Sequence, residues 1–109
     1  DPYNTAILQG LDKVTARVLT IVARLGDTKK FGTLEIIIRA CDKRPPEETP
    51  ESAAFIDVWE VRPGEPADNI FRGWMFASSP ALSALEHPVY DVWVLDCQHT
   101  REPLEEGKD

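Results

Sequence analysis

Residues 71–97, FRGWMFASSPALSALEHPVYDVWVLDC, constrain the fold of this chain more than any other stretch. They hold two of the three Trp residues, the single Met and one of the two Cys. Residues 71–77 are apolar and aromatic, which suits a pleated, half-buried strand. Ser79 before Pro80 places an N-cap ahead of proline at the first helical position, and residues 81–86 are good helix formers. A short helical turn is therefore predicted there. Pro88 biases His87 away from helical dihedrals and ends that turn. Residues 89–97 then alternate as a returning strand.

Strand signals recur upstream. Residues 33–41, TLEIIIRAC, put Leu34, Ile36, Ile38 and Ala40 on one face and Thr33, Glu35, Ile37, Arg39 and Cys41 on the other. Residues 53–61 are apolar on both parities, as in a central strand. A long loop around Arg62-Pro63-Gly64-Glu65-Pro66 joins them to the next strand as a hairpin. Residues 11–25 read as one strand whose apolar parity switches near Thr20, as at a β-bulge. A helix competes, because Val14, Val18, Ile21, Val22 and Leu25 also fit helical spacing. The β-branched residues and the Gly26-Asp27 turn favour the strand. Residues 29–31 begin another short strand.

The remaining segments lack such periodicity. Residues 1–10 are assigned to an arm or linker, residues 42–52 to a solvated proline-rich loop, and residues 98–109 to a disordered acidic tail. Residues 11–97 then form a single mainly-β domain. The expected fold is a small antiparallel β-barrel or sandwich with one short helical turn.

Charge narrows the partners. The chain has 109 residues and a net charge of −7, with no basic stripe interleaved with aromatics. Nucleic acid and anionic membrane surfaces are disfavoured, since both need clustered Lys and Arg. No apolar run approaches the roughly 18 residues that a membrane-spanning helix needs.

The strings WMFASSP and HPVYDVW, with LDKVTARV, KFGTLEIIIRAC and RPPEETPESAAF upstream, resemble a family of uncharacterised alphaproteobacterial proteins. That family is known as domain of unknown function twenty-one fifty-five, and the resemblance runs from about Leu11 to Cys97. It implies an exported, periplasmic protein whose N-terminal hydrophobic segment, a cleaved leader or membrane tether, is absent here. It implies no catalytic residues. Two cysteines allow one disulfide or none. Cys41 and Cys97 each end an apolar strand, neither sits in a Cys-x-x-Cys motif, and the oxidising compartment implied by the resemblance favours a bond between them.

Residue types associated with chemistry are present without a supporting pattern. His87, Asp91, Asp96, Cys97 and His99 lack the spacing of a zinc site. Ser78, Ser79, His87 and Asp91 supply the residue types of a hydrolase triad, but no Gly-x-Ser-x-Gly elbow accompanies them. No phosphate-cradling glycine loop or dinucleotide fingerprint occurs. No catalytic residue, metal or cofactor is expected. The expected role is a non-enzymatic envelope module that binds a protein or peptide, through a patch of Trp74, Phe76, Pro88, Tyr90 and Asp91. An accessory subunit of an inner-membrane assembly is the alternative, and a small hydrolase a distant third.

Overall fold

A computed structural model describes residues 3–81, 85 and 87–100. Its strands are β1 (Thr5–Asp12), β2 (Arg17–Arg24), β3 (Thr28–Phe31), β4 (Leu34–Lys43), β5 (Ser52–Glu60), β6 (Asp68–Phe76) and β7 (Tyr90–Gln98). They build a three-stranded sheet, ordered β2-β1-β7, and a four-stranded sheet, ordered β3-β4-β5-β6. Every ladder is antiparallel.

The inward faces meet in one core. Leu8, Ile21, Val92 and Val94 come from the smaller sheet, and Leu34, Ile36, Ile38, Ile56, Val58 and Met75 from the larger. Period-two alternation places them there: each strand sends every second side chain inward. The sheets are tied by a lone bridge between Leu25 and Ile38 and by the predicted Cys41–Cys97 disulfide, with a Cα separation of 5.8 Å.

Two parts of the expected fold are corrected. Both sheets have free edge strands, so the architecture is an open sandwich and not a closed barrel. No helix occurs among the described residues. Ala77 and Ser78 form the turn that follows β6, closed by the Ser79 N–H on the Phe76 carbonyl at 3.1 Å, and Pro80 and Ala81 lie in a further turn. Residues 82–84 and 86 of the expected helical stretch lie outside the described residues. Local helix propensity in so short a segment is small beside the tertiary contacts around it, such as the burial of Leu85 in the core.

The N-terminal boundary is also corrected. The stretch assigned to an arm supplies most of β1, which lies between β2 and β7 with Ala6 and Leu8 fully buried. Residues 11–25, read as one strand, are the end of β1, a turn and the whole of β2. The Asp12 carboxylate accepts from the N–H groups of Val14 and Thr15, at 2.9 and 3.2 Å, and Ala16 takes a positive φ of 60°. An Asx turn of this kind competes directly with strand continuation. The β1–β2 register then runs without a break, so the bulge expected near Thr20 is absent.

Bulges occur elsewhere. The pairing skips Arg39 on β4, Ile70 on β6 and Leu95 on β7. Each extra residue reverses the parity beyond it. That is why Cys41, expected on the face opposite Leu34, Ile36 and Ile38, is buried with them. At the other end of the chain, Gln98 closes β7 and the Asn4 side chain accepts from the Thr100 N–H at 2.9 Å. The expected tail from residue 101 onward lies outside the described residues.

Candidate functional site

The outward face of the four-stranded sheet carries a cluster built across three strands. Asp57 on β5 pairs with Ile37 of β4 and Arg72 of β6. Its carboxylate accepts from Arg39 Nε at 3.0 Å and from Arg72 Nε. The bulge at Arg39 turns that side chain toward Asp57. Asp57 is 2% exposed, whereas the two arginine side chains are 50% and 55% exposed. The Arg72 bond, opposed by burial and reinforced by Arg39, holds the Asp57 carboxyl below its ordinary value.

Aromatic rings border this cluster. Phe55 and Trp74 pair across β5 and β6 and meet edge to face, with centroids 5.5 Å apart. Phe76 follows on the same face of β6, opposite Ala53, and is exposed like Trp74. Trp59 lies on the other side of Asp57 along β5, half-buried.

A second polar cluster closes the far end of the sandwich. Glu60 accepts from the Thr33 hydroxyl at 2.7 Å, pairs with Arg62 at 3.1 Å, and meets His87 Nε2 at 3.0 Å. The Val89 and Tyr90 N–H groups both point at His87 Nδ1, at 3.0 and 3.3 Å. Nδ1 is therefore the acceptor, and Nε2 carries the proton given to Glu60. Tyr90 packs between Phe31 and His87, tilted against both with ring centroids 5.1 Å away, and its hydroxyl accepts from the Thr33 N–H at 3.4 Å. Gly32 makes room for it. At φ +60°, a Cβ there would fall 2.0 Å from the Tyr90 hydroxyl.

The expected binding patch is thus divided. Trp74 and Phe76 face outward on β6, while Tyr90 faces the core between β7 and the β3–β4 turn. Phe55 and Glu60, which mark the two places along β5, are five residues or about 17 Å apart. Pro88 is exposed at the bend before β7, and Asp91 pairs with Lys13 at 3.2 Å. This packing predicts that Tyr90→Ala destabilises the fold by about 2–3 kcal/mol through a cavity against Phe31 and His87. Thermal melting of the variant checks this; an unchanged transition would show the ring to be dispensable to packing.

The triad residue types are also apart. Ser78 bonds Glu51, His87 bonds Glu60, and Asp91 bonds Lys13. Both cysteines are in the disulfide. Among the described residues no group of three or more His, Cys, Asp or Glu could hold a metal ion. The proline-rich loop, read as a plain surface loop, roofs a cavity of about 430 Å³ lined by Pro45, Pro46, Ala77, Leu95 and others. Arg39, Asp57, Arg72 and Phe55 went unnoticed as site residues. The available signal was a charge at the middle of each of three neighbouring strands, on the parity opposite the apolar one.

Four carboxyls sit below their ordinary values. Thr33 is the largest cause at Glu60, Arg72 at Asp57 and Ser78 at Glu51. At Asp96 burial pushes upward, but Lys43, Gln98 and the Cys97 N–H together prevail. Each group binds its proton more weakly folded than unfolded, so its stabilisation is present above the ordinary values of 4.5 and 3.8 and is lost as pH falls through the lower folded ones. The melting temperature should therefore be steady above about pH 5 and drop steeply below it. Melting Asp57→Asn across the same range checks the assignment, because its profile should be flatter at the acid end.

These features define a disulfide-braced, two-sheet β domain whose outward faces carry arginines and aromatic rings. The chain belongs to the family described as "Uncharacterized protein conserved in bacteria (DUF2155)", which matches residues 6–97. It is 30% identical over 95 residues to "Uncharacterized protein RP359" of Rickettsia prowazekii (strain Madrid E), covering 87% of this chain. The chain spans 61% of the length of that relative. No solved structure matches it.

Proposed function

We propose that this domain is a non-enzymatic module of the cell envelope that binds another protein. The observation that carries this reading is the content of the outward faces. A two-sheet domain ordinarily sends polar side chains outward. Here Val18 and Val22 of β2, Leu95 of β7, and Trp74 and Phe76 of β6 are between 40% and 53% exposed. Partly exposed aromatic and aliphatic groups on rigid strands, beside arginines, are the composition of protein-recognition surfaces. An oxidising compartment suits the disulfide. No helix among the described residues is long and apolar enough to cross a membrane.

Site-specific photocrosslinking in envelope extracts tests the reading. A crosslinker at Trp74 or Leu95 should trap a defined partner that a crosslinker at exposed loop residue Glu65 does not. A partner released by competition supports a free-standing module. Equal background trapping at all positions would remove the reading, and stoichiometric co-purification with a membrane complex would replace it with a subunit role.

A further inference from the structure

Resting on that protein-binding reading, we infer that the Arg39–Asp57–Arg72 cluster is a carboxylate receptor for an extended acidic peptide segment of the partner. One buried carboxylate orients two guanidinium groups, and both donate to it through Nε. Among the described residues neither arginine has another acceptor, so the η nitrogens of both are open to a ligand. Two cations on one anion leave this spot positive in a chain of net charge −7. Glu35, the next outward carboxylate on β4, is already matched by Lys30 at 3.6 Å. Asp42, the other one, pairs with Ala53, four rows along the ladder from the Ile37–Asp57 pair.

A guanidinium fork held in place loses little freedom on binding and matches a carboxylate by paired N–H donors. The flanking rings set the rest of the specificity. Trp74 and Phe76 run along β6 from the arginines, at the spacing of alternate residues in an extended peptide. The occupant is thus a strand-like segment with a Glu or Asp beside an apolar or aromatic side chain. β6 is an edge strand, which leaves that approach open.

The test uses the full oxidised chain and the peptide acetyl-Leu-Glu-Phe-Glu-Leu-amide, with its Gln counterpart, followed by ¹⁵N NMR. The Glu peptide should shift the Nε–H signals of Arg39 and Arg72 and the Trp74 indole. It should bind about tenfold more tightly than the Gln peptide. Arg39→Lys and Arg72→Lys keep the charge beside Asp57 but lose the fork, and should weaken binding severalfold with the thermal transition retained. Should either variant lower that transition, Trp74→Ala reads the aromatic half of the site instead. Equal binding of the two peptides, shifts confined to Trp93 and Val22 on the other sheet, or no shift at millimolar peptide would each overturn the inference. Partner trapping at Trp74 alongside such a peptide result leaves the binding module standing without its carboxylate receptor. Background trapping everywhere removes the module itself.

Discussion

Deleting residues 1–10 abolishes the cooperative thermal transition of this domain: that is the expected result, and it follows from the place of β1. Six of its eight residues, Thr5 to Gly10, would go. The strand lies between β2 and β7, so its loss breaks two ladders and leaves two strands without a common partner. The side chains of Ala6 and Leu8 leave the core with it, and burial of Leu8 alone is worth about 2 kcal/mol. Asn4 adds bonds at the margin, accepting from Leu25 N–H and donating to the Gln98 carbonyl. Circular dichroism with a melting curve decides the matter. A trimmed chain that still melts cooperatively would mean that β1 is a dispensable addition to the sandwich.

Reducing the Cys41–Cys97 bond should lower stability by about 4 kcal/mol, the chain-entropy value for a separation of 56 residues. Small domains have about 5–15 kcal/mol in all, so the change is a large fraction of the whole. The bond also joins β4 of one sheet to β7 of the other. Without it the sheets are held by the contacts near Leu25, the bonds of Asp96 to Lys43 and Ser52, and the apolar core. Cys41→Ala/Cys97→Ala, unfolded in urea beside the oxidised chain, measures the effect without a reductant. A difference under about 1 kcal/mol would show that the remaining contacts hold the sheets without the bond.

The legible parts of the fold were those where one strand carries its own pattern. Residues 33–41 and 53–61 alternate, or are apolar throughout, and they became β4 and β5. The β1 strand lacked that signal for a specific reason. Its inward face reads Ala6, Leu8, Gly10, with one large side chain, because the Phe31 ring occupies the space over Gly10. A Cβ on Gly10 would lie 2.7 Å from that ring. A strand that yields its volume to a neighbour looks, in sequence, like a linker.

The same holds for the candidate site. Trp74 and Phe76 were visible as aromatic residues in a strand, and the structure leaves them exposed. Their association with Tyr90 and Asp91 rests on residues 89–97 returning into the same sheet beside Trp74, whereas β6 and β7 belong to different sheets. The arginine cluster joins residues 39, 57 and 72, which share no local motif.

Composition and alternation alone determined that this chain is a mainly-β domain with strands at residues 33–41 and 53–61, since a strand's apolar period is a local property. Tertiary structure alone decided the central place of β1, the open sandwich in place of a barrel, and the meeting of Arg39 with Arg72 over Asp57. Each of these depends on register and on bulges. A single extra residue at position 39 exchanges the faces of everything beyond it, and no local signal in the sequence announces where that residue falls.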